Sequence, residues 1–147
     1  MGQSVTSFPD AHWEHFQHVA DIGVRGIAPS TAGAFEQAAM AMSAVITDLT
    51  MITPRACVEV SCDAPDLELL LADWLNAILY EMATRRMLFS RFEVTIINDT
   101  LRGRLWGEPV EVAHHRPAVE IKGATYTCLA VKQHPDGLWV AQCVVDV

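Results

Sequence analysis

Residues 67–82 most constrain how this chain can fold: Leu67, Leu70, Leu71, Trp74, Leu75, Ile78, Leu79 and Met82 recur at three- and four-residue intervals and fall on one stripe of an α-helix. Asp63-Ala64-Pro65-Asp66 is a helix-start signal, and the early acids and Arg85-Arg86 at the far end match the helix dipole. A second amphipathic segment follows Pro29-Ser30-Thr31, whose hydroxyls can cap it; Phe35, Ala38, Ala39, Met42, Val45 and Ile46 form its apolar face. Both stripes need a flat apolar surface to cover. The rest of the chain supplies strands: 13–19 and 23–28, broken near Asp21 where Gly23 and Gly26 permit tight backbone, then 57–60, 92–97, 101–106, 118–132 and 138–147. Short polar turns separate the later ones, and Pro135-Asp136-Gly137 reads as a hairpin turn. The expected class is α+β, a largely antiparallel β-sheet packed against two amphipathic helices.

With 147 residues, 51% of them hydrophobic and 19% charged, the chain has the size and composition of one well-packed domain. Residues 1–12 read as a polar leader open to disorder, and 13–147 as a single domain without repeat or linker. No apolar run reaches the length of a membrane span, and the first ten residues lack the basic-then-apolar pattern of a signal peptide, so a cytoplasmic protein is expected. The net charge of −8 argues against direct nucleic-acid binding, which needs clustered Lys and Arg, and suits a basic protein partner. Cys57, Cys62, Cys128 and Cys143 have neither zinc-pair nor redox spacing, and are expected to be buried, reduced thiols.

Two acids stand out against this background. Asp21, in His18-Val19-Ala20-Asp21-Ile22-Gly23, and Asp146, one residue before the last, both lie in apolar strand-like segments where an unpaired charge is costly to bury. If the fold joins them they repel, and a hard divalent cation is the simplest compensation. Termination immediately after Asp146 would also bring a backbone carbonyl and the terminal carboxylate, which belongs to Val147, within reach of that cation. On the strand from Ala118, Glu120, Lys122 and Tyr126 alternate onto one face; Lys122 can serve as a counter-charge to the acids or as a phosphate contact, or simply as an exposed strand residue. His18 lies three residues before Asp21. His114-His115 sits in a turn region, where adjacent side chains of an extended chain diverge and would not share a zinc ion. No nucleophile elbow, phosphate-binding glycine loop, zinc-protease, EF-hand or kinase signature is present, which lowers the case for an independent enzyme.

In order along the chain, these segments resemble the archease family: His18-Val19-Ala20-Asp21-Ile22-Gly23, Ala34 to Ala39 leading to Ile46-Thr47-Asp48, Asp66-Leu67 through Leu79-Tyr80, Gly107-Glu108, Glu120-Ile121-Lys122-Gly123-Ala124-Thr125-Tyr126, and Val145-Asp146-Val147. The resemblance spans 13–147. It implies an archease-like fold and an accessory protein of the tRNA-splicing RNA ligase, the GTP- and manganese-dependent enzyme that joins RNA ends. Such a protein promotes guanylylation of the ligase histidine and multiple turnover, and is not itself the ligase. By the same resemblance the metal ligands are Asp21, Asp146 and Val147, Lys122 is the functional lysine, and His18, Glu120 and His115 are supporting residues; the oxygen donors of two acids and a carbonyl favour Ca²⁺, Mg²⁺ or Mn²⁺ over zinc. Val19 replaces the family's common Thr, and Gly123 its common Ala; neither change removes a charged ligand. Two other classes remain open at this point, a stand-alone metal-dependent phosphoester hydrolase and a structural or chaperone-like interaction module.

Overall fold

The apolar stripe of 67–82 becomes helix α2 (Leu67–Arg85), begun by the Asp66 carboxylate accepting the Leu69 N–H at 2.8 Å and ended by Arg86 in the left-handed region at φ 54°. Leu70, Leu71, Trp74, Leu75 and Ile78 are completely buried along it. The other predicted helix is α1 (Thr31–Ile46), whose N-cap Ser30 hydroxyl accepts the Gly33 N–H at 3.0 Å. The computed structural model describes residues 10–147; most of the predicted leader, residues 1–9, lies outside the described residues.

The strands are β1 (His12–His18), β2 (Asp21–Ala28), β3 (Ala56–Asp63), β4 (Met87–Ile97), β5 (Thr100–Pro109), β6 (Gly123–Ala124), β7 (Ala130–Gln133) and β8 (Trp139–Asp146). They form two sheets instead of the single one expected: a five-stranded sheet ordered β1-β2-β8-β6 with β7 also on β8, and a three-stranded sheet ordered β3-β5-β4. Every pairing is antiparallel, and the fold is α+β as expected. Helix α1 lies between the sheets, touching β2 and β8 of one and β4 of the other. Gly26 makes that approach possible, because a Cβ there would fall 2.1 Å from the Ala34 carbonyl oxygen and 2.3 Å from the Ala38 nitrogen. Trp74 of α2 fills the second interface: its ring lies over Gly103, meets Phe92 edge-on at 6.3 Å, and its indole N–H donates to the Phe35 carbonyl at 3.0 Å.

Three expectations are corrected. The segment 118–132 is not one strand but an unpaired stretch, the two-residue β6, a turn, and β7. Thr125 sends both its N–H and its hydroxyl to the Val144 carbonyl, its oxygen accepts the Thr127 N–H, and Cys128 turns through φ 56°, so hydroxyl-mediated turn bonds replace the ladder. His114 and His115 are not extended but close a helical turn, α3 (Val112–His115). Only Cys62 and Cys143 are buried; Cys57 sits on the outer face of β3 and Cys128 at the turn, both exposed, and all four are free thiols.

Candidate functional site

Strand β2 lies between β1 and β8, and this order brings the two distant acids together. The β2–β8 register pairs Ile22 with Val145, so one step further aligns Asp21 with Asp146 on the same face. That face is the outer one, because the alternate positions Val24, Gly26 and Ala28 face α1. Asp21 is half-buried and Asp146 exposed, and among the described residues neither carboxylate has an ion-pair partner. On the far side of β8, Gly123 pairs with Asp146, and the Lys122 N–H donates to the Asp146 carbonyl at 2.7 Å. Lys122 is thereby anchored by its backbone while its side chain stays in solvent. Val147 is partly buried against the core. His18 opposes Asp21 across the β1–β2 hairpin, and its Nδ1 is shielded from solvent without a hydrogen-bond partner. One sheet end therefore gathers His18, Asp21, Lys122, Asp146 and Val147. Neither acid forms an ion pair with Lys122 or His18, and two such oxygen donors suit a hard divalent cation better than zinc.

The other two named residues go elsewhere. Glu120 is exposed and lines a cleft whose remaining walls come from α1, α2, β4 and the neighbouring loop, with none from β2 or β8. His115 is 2% exposed and belongs to a separate buried network around Glu108, itself 5% exposed. One Glu108 oxygen accepts the Thr53 N–H and the His115 Nε2–H, each at 2.9 Å, while the other accepts from the Arg55 guanidinium at 2.6 Å. His115 Nδ1 accepts the Glu111 N–H at 2.9 Å, which fixes the ring proton on Nε2, and the His115 carbonyl accepts from the Thr47 hydroxyl at the end of α1. The Thr53 and His115 hydrogen bonds and the Arg55 charge pull the Glu108 carboxyl down to about 2.

Ligand-type atoms of Glu108, His114 and His115 lie within 4.8 Å of one another, so this corner could hold a metal ion by spacing alone. Those atoms are already engaged, since His114 Nε2 also bonds the Met51 carbonyl at 3.0 Å. The group works as a hydrogen-bonded clamp joining the end of α1, the 53–55 loop, β5 and α3.

The Archease protein family (MTH1598/TM1083) matches residues 13–147. A Pyrococcus furiosus protein named archease is 35% identical over 139 residues, covering 92% of this chain and 98% of its own length. The chain belongs to the archease family. The solution structure of Methanobacterium thermoautotrophicum protein 1598, at 32% identity, superposes with a TM-score of 0.80 over 92% of this chain and 98% of that one. A Thermotoga maritima archease, described as a possible chaperone, shares the fold at 18% identity and a TM-score of 0.56 over 90% of this chain and 94% of its own.

Within this archease-family chain, the sequence reading missed the role of Glu108. The expected strand 101–106 stops short of it, whereas β5 runs through Pro109 and carries Glu108 inward. Like Asp21 and Asp146, Glu108 is an acid in an apolar strand, here after Leu105-Trp106-Gly107, and needs a partner. Its partners Thr53 and Arg55 lie more than 50 positions away and carry no local signal.

Proposed function

We propose that this chain activates a tRNA-splicing RNA ligase, promoting guanylylation of the ligase histidine and repeated turnover in RNA ligation. The observation that carries the reading is the alignment of Asp21 with Asp146 on one sheet face, beside a lysine tied by its backbone to Asp146. Asp21, Asp146 and the Val147 carbonyl would hold a divalent cation, Ca²⁺, Mg²⁺ or Mn²⁺. When bound, such an ion supplies positive charge that offsets phosphate charge during nucleotidyl transfer. The chain's own part is to present the acids on a rigid sheet end and to offer the Lys122 ammonium to a phosphate or to an acidic group of the partner. The net charge of −8 favours docking on a basic protein surface over direct contact with RNA. Among the described residues no helix is long and apolar enough to cross a membrane, and a cytoplasmic site of action goes with the proposed partner.

The test is RNA ligation and ligase guanylylation at limiting cognate ligase, with and without this protein. Stimulation by the parent protein, lost in Asp21→Ala, Asp146→Ala and Lys122→Ala variants that remain folded, is the expected result. Phosphoester turnover by this protein alone with manganese would favour the hydrolase reading instead. Full stimulation by both Asp variants would remove the metal site from the mechanism.

A further inference from the structure

The β1–β2 hairpin closes at Val19-Ala20, directly before Asp21, and Val19 takes the first central position of the turn with φ 51°. Two-residue hairpin turns that need a positive φ there ordinarily use Gly, Asn or Asp, because a Cβ crowds the neighbouring carbonyl in the left-handed region. For a β-branched residue this conformation is an outlier. Val19 gains nothing in return from packing, since it is 99% exposed, the highest value among the exposed large apolar residues of the described chain. A valine that disfavours its own turn and buries no surface does not serve the fold. Strain of this kind, at a site rim, points to a contact made only in a complex.

We propose that Val19 is an apolar anchor, inserting into an apolar recess on the basic protein surface that receives the Asp21–Asp146 end of the sheet. The inference rests on the reading of that end as a protein-docking site and adds the residue that fixes its placement. The hairpin register sets the anchor's position: His18 pairs with Asp21, so the tip stands at the same sheet end as both acids and Lys122. The recess should therefore have basic groups on its rim, complementary to the acids beside the tip. A nucleic-acid partner fits poorly, because phosphates would meet those acids and an aliphatic tip offers bases no stacking surface.

The experiment uses Val19→Gly and Val19→Asn, which suit a positive φ, assayed by thermal unfolding and by titration into the cognate ligase at limiting ligase. Both variants are expected to unfold at the parent's midpoint or above it. Both should need about tenfold more protein for half-maximal stimulation, the loss expected when a valine side chain no longer becomes buried. Val19→Leu, which keeps an apolar tip, should stay much nearer the parent. Stimulation by Val19→Gly and Val19→Asn at parental concentrations overturns the anchor while leaving the ligase reading intact. A lowered unfolding midpoint in both assigns Val19 to the fold and also overturns it. A parent dimer that Val19→Asn dissociates would make the tip a self-contact, overturning a separate partner. Absence of stimulation by the parent overturns the ligase reading and the anchor with it.

Discussion

Glu108 is the residue whose surroundings do most to define its chemistry. Its carboxyl, held near 2 against an ordinary 4.5, stays charged in the folded protein under conditions that protonate it in the unfolded chain. Its contribution to stability is therefore complete above about 4.5 and is lost as the pH falls toward 2. Acid titration of the unfolding midpoint should show Glu108→Gln less stable than the parent at neutral pH and the gap closing across that window. An unchanged gap at low pH would mean the clamp acts through shape alone. Cysteine chemistry divides the same way: burial raises the Cys62 and Cys143 thiols to about 11 and about 12, while Cys57 and Cys128 face solvent. A thiol reagent applied to native protein at mildly alkaline pH should modify Cys57 and Cys128 and spare the other two until unfolding, with mass spectrometry of the peptides as the readout.

At the scale of the elements, the two helices do different work. Helix α1 is the wedge between the sheets, and its closeness to β2 depends on Gly26, whose missing side chain leaves room for helix backbone that has nowhere to move. Gly26→Ala should cost about 1–3 kcal/mol, as other overpacking substitutions do, seen as a lower denaturant midpoint. Helix α2 contributes its stripe, centred on Trp74, which packs against β5 and meets Phe92 of β4. Trp74→Ala should cost about 3–5 kcal/mol, since it removes a fully buried side chain together with its indole hydrogen bond to the Phe35 carbonyl. Equal midpoints for parent and variant would contradict the packing described.

For the whole molecule, the decisive feature is that β8, the last strand in sequence, pairs with β2, near the first. That pairing closes the five-stranded sheet and sets Asp146 against Asp21, joining the candidate metal site to a long-range ladder on which the sheet itself depends. Metal binding and folding are then linked: manganese at about ten times its Kd should stabilise the parent by roughly 1.4 kcal/mol. Asp21→Ala and Asp146→Ala should each abolish the metal-dependent rise in unfolding midpoint while leaving a cooperative transition in chelator. A rise of the same size in both variants would place the cation elsewhere, with the Glu108–His114–His115 corner the first candidate.

Periodicity by itself determined the two long helices, because the 67–82 stripe and the 35–46 face have a 3.6-residue repeat that only a helix can satisfy, and capping residues marked where each begins. The hairpin at Pro135-Asp136-Gly137 was legible for a similar reason: Gly137 at φ 93° needs glycine, and the need is local. Apolar strand context also marked Asp21 and Asp146 as acids requiring explanation. Only the tertiary structure decided that the strands form two sheets, that His115 belongs to the Glu108 clamp and not beside Asp21, and that 118–132 breaks at the Thr125–Cys128 turn. Each of those outcomes turns on partners far apart in the chain. Local sequence records the need of a buried or apolar-flanked polar group for a partner, but which partner it meets is settled by the order in which strands pair.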